Sequence, residues 1–242
     1  MTHRSPAPVP SAPWPSGSFM ARLSEDARSD LLSLAPQREY PANTTLLHQG
    51  DTGGMIYILR STRGGASACG KVVARLKNGD ESLLDIRVSG DIVGELALLR
   101  KRQRMATVIT CTATLVHAIP GADFRAFLSR HGEAWEAISS IIGDRLEWSE
   151  ERRLDFTGYD VPARLARTVI ALVERHGVTT PKGVELGVNL SQAELGRLIG
   201  AKEDAVGQAV RHLREAGWVQ AGYRNLTVTD LSGLRTFSEN GR

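Results

Sequence analysis

Between Glu39 and Pro120 the chain is written in short apolar runs, each closed by a glycine- or asparagine-bearing turn. The runs are TTLLHQGDTGG, MIYILRSTRGG, KVVARLKNGD, SLLDIRVSGD and ATVITCTATLVHAIP. Runs of this length with turns at regular intervals predict antiparallel strands closing into a sandwich or barrel. Asn78-Gly79-Asp80 is the strongest hairpin signal among them, because Asn-Gly accepts the left-handed backbone of a tight two-strand turn. A closed β domain therefore occupies the first half, and everything else must attach to it.

The flanks follow other rules. Residues 1–18, MTHRSPAPVPSAPWPSGS, carry five prolines and read as a disordered arm. Ser24 then caps a helix in which Ala27, Leu31, Leu32 and Leu34 share a face, stopped by Pro36. After Ala122 the pattern turns helical: ADFRAFLSRH, then a long stretch from Glu133 to about Asp155. Along it Trp135, Ile138, Ile142, Arg145, Ser149, Arg152 and Phe156 fall at 3-4 spacing, apolar first and polar later. Such a seam fits a lone surface helix, and fits better a dimer helix whose polar half meets a ligand or partner. Gly158 reads as a hinge and Pro162 as a helix-starting residue.

Residues 191–217, SQAELGRLIGAKEDAVGQAVRHLREAG, are the most specific stretch. Ser191 with Glu194 three positions on forms a capping box. Gly200 stands where a turn between two helices needs a left-handed residue, and Gly196 permits close approach. Val206, Val210 and Leu213 give the second helix its apolar face. The pattern predicts a helix-turn-helix with recognition helix 202–216, followed by a hairpin in WVQAGYRNLTV whose tip is YRN. The N-terminal turn of such a helix reads base edges. Here it offers Lys202, Glu203, Asp204 and Gln208; Gln pairs with adenine and an acid accepts from cytosine. Arg211, Arg214 and Arg224 are placed for phosphates.

Composition bounds the chemistry. A chain of 242 residues with 41% hydrophobic and 24% charged residues buries a real core in one or two domains. A net charge of +3 permits nucleic-acid binding without requiring it. Two cysteines, Cys69 and Cys111, make no zinc or iron–sulfur pattern and read as buried thiols. No apolar run approaches a membrane span of roughly 18 residues, and the N-terminus lacks a signal-peptide core. The expected location is the cytoplasm, with no membrane partner.

Taken in order, sandwich, long helix, hinge and winged helix-turn-helix resemble the cyclic AMP receptor protein and fumarate–nitrate regulator (Crp/Fnr) family of bacterial transcription factors. LLHQGDTGGMIYIL, SGDIVGELALL, RMATV and LSQAELGRLIGAKEDAVGQAVRHLREAGWV carry the resemblance over about residues 19–237. It implies an α+β chain: an arm over 1–18, a cyclic-nucleotide-binding β-sandwich of jelly-roll type over 19–131, a dimerisation helix over 132–157 and a winged helix-turn-helix over 158–242. It also implies a homodimer on double-stranded DNA, contact with RNA polymerase and a cyclic nucleotide effector, cyclic AMP first and cyclic di-GMP second. By the same resemblance Gly94-Glu95-Leu96 and Arg104 form a phosphate-binding cassette. Glu95 would accept from the ribose 2′-hydroxyl and Arg104 would pair with the cyclic phosphate. Backbone groups at Gly94, Leu96, Ala97, Met105 and Ala106 would help, and Ser149, with Glu150 beside it, would meet the base. Ser191 and Gln192 would join the DNA surface.

The chain departs from the family in places. Met105 follows the cassette arginine where a hydroxyl residue is usual, and RKRQ is unusually basic, as a solvated loop or a site for extra phosphate would be. Glu203, Asp204 and Gln208 replace the residues that read the usual half-site. Missing cysteines disfavour the iron–sulfur branch, and His48 and His117 read as strand residues rather than haem ligands. Alternatives are a regulator whose sandwich binds no nucleotide, and a regulatory subunit of an enzyme, against which the winged helix speaks. No nucleophile–base set, metal cluster or phosphate-binding Gly-Lys loop suggests catalysis.

Overall fold

A computed structural model describes residues 14–62 and 68–240. Most of the proline-rich arm, and the glycines at 64 and 65, lie outside that range. The arm's last residues are packed rather than disordered: Ser18 is buried against Gly90, the Met20 amide donates to the Gly90 carbonyl, and Arg60 lies over the Trp14 ring. A 3-10 turn leads to α1 (Glu25–Ser33), where the Ser24 hydroxyl accepts from the Ala27 amide.

Eight strands follow: β1 (Gln37–Tyr40), β2 (Thr45–Leu47), β3 (Met55–Ser61), β4 (Ala68–Arg75), β5 (Glu81–Val88), β6 (Ile92–Val93), β7 (Thr107–Thr110) and β8 (Thr114–Pro120). They form two antiparallel sheets, β1-β8-β3-β6 and β2-β7-β4-β5. Leu47, Leu59, Val72, Val93, Val108 and Val116 fill the space between them. The Asn-Gly-Asp turn closes the β4–β5 hairpin, with Gly79 at φ 91° and the Asn78 side chain accepting from the Asp80 amide. Of the two cysteines, Cys69 is buried and Cys111 only half-buried, so the expectation of two buried thiols holds for one of them.

Between β6 and β7 lies a short helix, α2 (Glu95–Arg100). After β8 come α3 (Gly121–Arg130) and the long α4 (Gly132–Gly158). The expected apolar seam of α4 is split between two faces. Ile138 is 2% exposed and packs inward with Ala134, Ala137 and Ile141 against Phe124 and Phe127. Trp135, Leu146 and Leu154 point outward, 46%, 60% and 65% exposed. Ile138 is thus a core residue of its own chain and not part of an exposed seam.

The chain turns at Tyr159 into α5 (Val161–His176), capped by the Asp160 side chain. A hairpin of β9 (Val178–Thr180) and β10 (Gly183–Glu185) leads to α6 (Gln192–Ile199) and α7 (Glu203–Glu215). The capping box on Ser191 forms in both directions, and Gly200 closes α6 at φ 64°. β11 (Val219–Gly222) and β12 (Asn225–Val228) complete a sheet of order β11-β12-β10-β9, and α8 (Leu231–Asn240) packs on α5. The β9–β10 hairpin and α8 were not anticipated. Three-residue strands carry no measurable alternation, and Gly233 interrupts the helical signal of α8.

The two halves share one core. Ala68, Leu83 and Ile86 of the sandwich pack with Leu165, Leu172 and Leu198. Lys71 reaches Glu194 at 2.6 Å and the Asn189 carbonyl at 3.0 Å, and Arg175 reaches Asp85 at 2.8 Å. β5 is an edge strand, and α6 covers it.

His176 is sealed within this second half. Its Nδ1 donates to the Leu186 carbonyl at 2.5 Å, and burial, reinforced by the Arg175 cation, pushes its pKa down to about 4. The folded chain therefore holds it neutral, while the unfolded chain protonates it near the ordinary value of 6.5. Its contribution is unchanged above that pH and is lost as pH falls towards 4, about 2 kcal/mol by pH 5. Thermal unfolding followed between pH 7 and pH 5 should show a smaller drop in Tm for His176→Gln than for the wild type. An equal drop would refute the assignment.

Candidate functional site

The tight turn after β6 is built around Gly94, at φ 95°. A Cβ there would lie 2.6 Å from Arg104 Nη1 and 2.9 Å from the Met55 carbonyl, so only glycine lets the arginine come this close. Arg104 arrives from the loop before β7. Its backbone is pinned by the HQGD turn, with Gly50 donating to its carbonyl at 2.9 Å and its own amide donating to Asp51 at 2.8 Å. Its guanidinium donates to the Gly94 carbonyl at 2.5 Å and to the Met55 carbonyl at 2.6 Å. Nε is buried and has no partner among the described residues. Burial lowers the pKa of this cation against the pull of Tyr57, Glu95 and Asp51. Its direct partners are carbonyl dipoles rather than a carboxylate, which leaves the charge suited to an anion.

Glu95 opens α2 and is 2% exposed. Arg145 of α4 donates to its Oε1 at 2.5 Å and to the Ile92 carbonyl at 2.9 Å. Leu96 and Ala97 follow in the first turn of α2, whose amides have no acceptor within the helix. A cavity of about 280 Å³ opens over these groups and is also lined by Met105, Ala106 and Ser149. The structure thus gathers Gly94, Glu95, Leu96, Ala97, Arg104, Met105, Ala106 and Ser149 around one space. Glu150 does not join them; it turns away to an ion pair with Arg153 at 2.9 Å. Arg100, Lys101 and Arg102 are exposed and do not line the cavity.

Asp85 and Arg87 from β5, and Arg145, Trp148 and Arg152 from α4, also stand in the wall and were not singled out from sequence as binding groups. Arg152 stacks on Trp148 with Cζ 5.0 Å from the ring centroid, and its Nη1 donates to the Leu198 carbonyl of α6 at 3.3 Å. The spacing of Arg145, Ser149 and Arg152 on α4 was visible; what lay opposite them was not.

The second surface lies on the winged helix-turn-helix. Lys202, Glu203, Asp204, Gln208, Arg211 and Arg214 are all exposed along α7 and its cap. Gln192, also exposed, lies with its Oε1 3.0 Å from where a Cβ on Gly207 would stand. Ser191 is half-buried with its hydroxyl committed to the capping box. Arg224 stands at the wing tip at φ 54°, beside the exposed Tyr223, and pairs with Glu194 at 3.2 Å. Among the described residues no group of His, Cys, Asp and Glu is arranged to hold a metal, and no helix is long and apolar enough to cross a membrane.

Comparison with known proteins identifies both domains. Residues 37–131 match the family model for the cyclic nucleotide-binding domain, and residues 163–237 match the Crp-like helix-turn-helix domain. The chain is 27% identical over 192 residues to the cAMP-activated global transcriptional regulator CRP of Salmonella typhimurium, covering 78% of this chain and 88% of that one. It is 24% identical over 196 residues to the CRP-like cAMP-activated global transcriptional regulator of Mycobacterium tuberculosis, covering 81% and 85%. Among solved structures, the c-di-GMP responsive global regulator CLP of Xanthomonas campestris superposes with a TM-score of 0.69 at 22% identity, over 85% of this chain and 99% of that one. That likeness speaks for the fold. With its cyclic-nucleotide-binding β-sandwich, long helix and winged helix-turn-helix, the chain belongs to the Crp/Fnr family of transcription regulators.

Proposed function

We propose that this regulator works as a homodimer whose grip on a near-palindromic operator is set by a cyclic nucleotide in the cavity above Glu95 and Arg104. The observation that carries the reading is Arg104: a buried cation on carbonyl partners, with an unsatisfied Nε, in the wall of a cavity that also holds a buried carboxylate. Arg104 supplies a forked contact for the cyclic phosphate. Amides at the start of α2 add neutral donors. Glu95, held in orientation by Arg145, accepts from the ribose 2′-hydroxyl, and Ser149 faces the base. The relatives' names make cyclic AMP the first effector to test. A cavity of about 280 Å³ lies just below the usual range of small-molecule sites, roughly 300–1,000 Å³, so a mononucleotide is tested before cyclic di-GMP. The exposed Arg100, Lys101 and Arg102 then form a solvated loop. An operator-bound dimer in the cytoplasm would act through RNA polymerase.

Arg104→Ala removes a charge-assisted contact worth roughly 1.5–3 kcal/mol. Titration calorimetry should show nucleotide affinity falling about ten- to a hundredfold. Failure of the wild-type protein to bind any cyclic nucleotide would overturn the ligand assignment.

Dimerisation is assigned to the outward face of α4, where Trp135, Leu146 and Leu154 leave apolar surface exposed. Leu146→Asp would place a charge in that interface without touching the subunit's own core. Sedimentation should show a wild-type dimer and a folded, monomeric variant; a wild-type monomer at micromolar concentration would refute it.

On DNA, two copies of α7 should engage half-sites about one helical turn apart, roughly 34 Å. Gln208→Ala should cost about 1–3 kcal/mol on the best site and little on random duplex. Arg211→Ala should weaken both alike, since phosphate contacts carry no sequence information. Selection from random duplexes, with and without nucleotide, tests this; no enriched palindrome would mean that α7 does not read sequence.

A further inference from the structure

The phosphate and ribose ends of the cavity are marked by Arg104 and Glu95, so the base must face the α4 wall of Trp148, Ser149 and Arg152. Two of these residues carry buried donors with no partner among the described residues: Arg152 Nε and Trp148 Nε1. Arginine and the indole nitrogen are donors only. Both residues line the cavity, and a small side-chain shift would turn these buried donors towards a base edge. Guanine offers two acceptors side by side, N7 and O6; adenine offers N7 beside the N6 amine, a donor. An acceptor for that amine is present in Asp85, but its carboxylate already holds both Arg87 and Arg175. The Ser149 hydroxyl serves either base.

Resting on the cyclic-nucleotide reading above, we propose that Arg152 reads the base and that this cavity selects a guanine cyclic nucleotide over an adenine one. Trp148, stacked on the guanidinium at 5.0 Å, holds it in a plane suited to a base edge. Arg152 has a second duty. Its bond to the Leu198 carbonyl, at 3.3 Å, ties α4 to the last turn of α6 in the helix-turn-helix. Base and DNA-binding half thus meet on one side chain: Nη1 serves Leu198, and the unmet Nε is left for a base edge. Burial, opposed by Asp85, already lowers the pKa of this arginine, so an added acceptor finds a poorly solvated donor.

The test is titration calorimetry of the full chain with cyclic GMP and cyclic AMP. Wild type should bind cyclic GMP more tightly, by roughly five- to a hundredfold, the discrimination of one good bidentate pair. Arg152→Gln, whose amide matches adenine's N6 and N7, should abolish or reverse the preference. Arg152→Lys keeps the charge without the fork and should narrow it. Circular dichroism and thermal melting establish that both variants are folded. Wild type binding cyclic AMP equally or better, or folded Arg152→Gln and Arg152→Lys variants that both keep the wild-type ratio, overturns the base assignment alone. No binding of either nucleotide overturns the ligand reading and this inference with it.

Discussion

The Asp85 carboxylate is the point on which the two halves of the molecule turn. It is 5% exposed, and burial alone would push its pKa up. The guanidiniums of Arg87, in the same strand, and Arg175, from α5, outweigh that penalty and hold it well below the usual carboxylate range. A buried ion pair adds little net stability, but removing one partner strands the other charge at a cost of about 3–5 kcal/mol. The sandwich therefore cannot part from α5 at this point without exposing or rehydrating the group. Because Asp85 also lines the cavity, the contact that joins the halves and the cavity wall are one structure.

α4 shows how one helix serves three surfaces. Its first turns bury Ala134, Ala137, Ile138 and Ile141 in the sandwich-side core. Its outer stripe leaves Trp135 and Leu146 facing solvent. Its middle sends Arg145 to Glu95 and brings the Trp148 ring to Arg152, at 5.0 Å, and Arg175, at 5.7 Å. A helix with these duties has no uniform apolar seam: in its second half Arg145 and Arg152 line the cavity while Glu147, Glu151 and Arg153 stay in solvent.

Much of the fold was legible because its signals are local. Asn78-Gly79 names its own turn, Ser191 with Glu194 names a helix start, and Gly200 names the break between α6 and α7, each within a few residues. Resemblance gave Glu95 and Arg104 their separate roles; the close approach at Gly94 is what joins them. The β9–β10 hairpin was not legible, since strands this short draw their order from the wing they pair with. Nor was the packing of Trp14 to Ser18, which depends on Gly90 lying beneath them.

By itself the sequence determined the order of the main elements, the caps at Ser24 and Ser191, the turns at Gly79 and Gly200, and the apolar face of α7. Those are set by backbone sterics and hydrogen bonds between near neighbours. Only the tertiary structure decided which charges meet. Arg145 finds Glu95 from 50 positions away, Arg175 finds Asp85 from 90, and Lys71 finds Glu194 from 123. It also decided that Ile138 faces inward while Leu146 faces out. Helical spacing says which residues share a stripe, but burial and pairing depend on what the rest of the chain brings opposite.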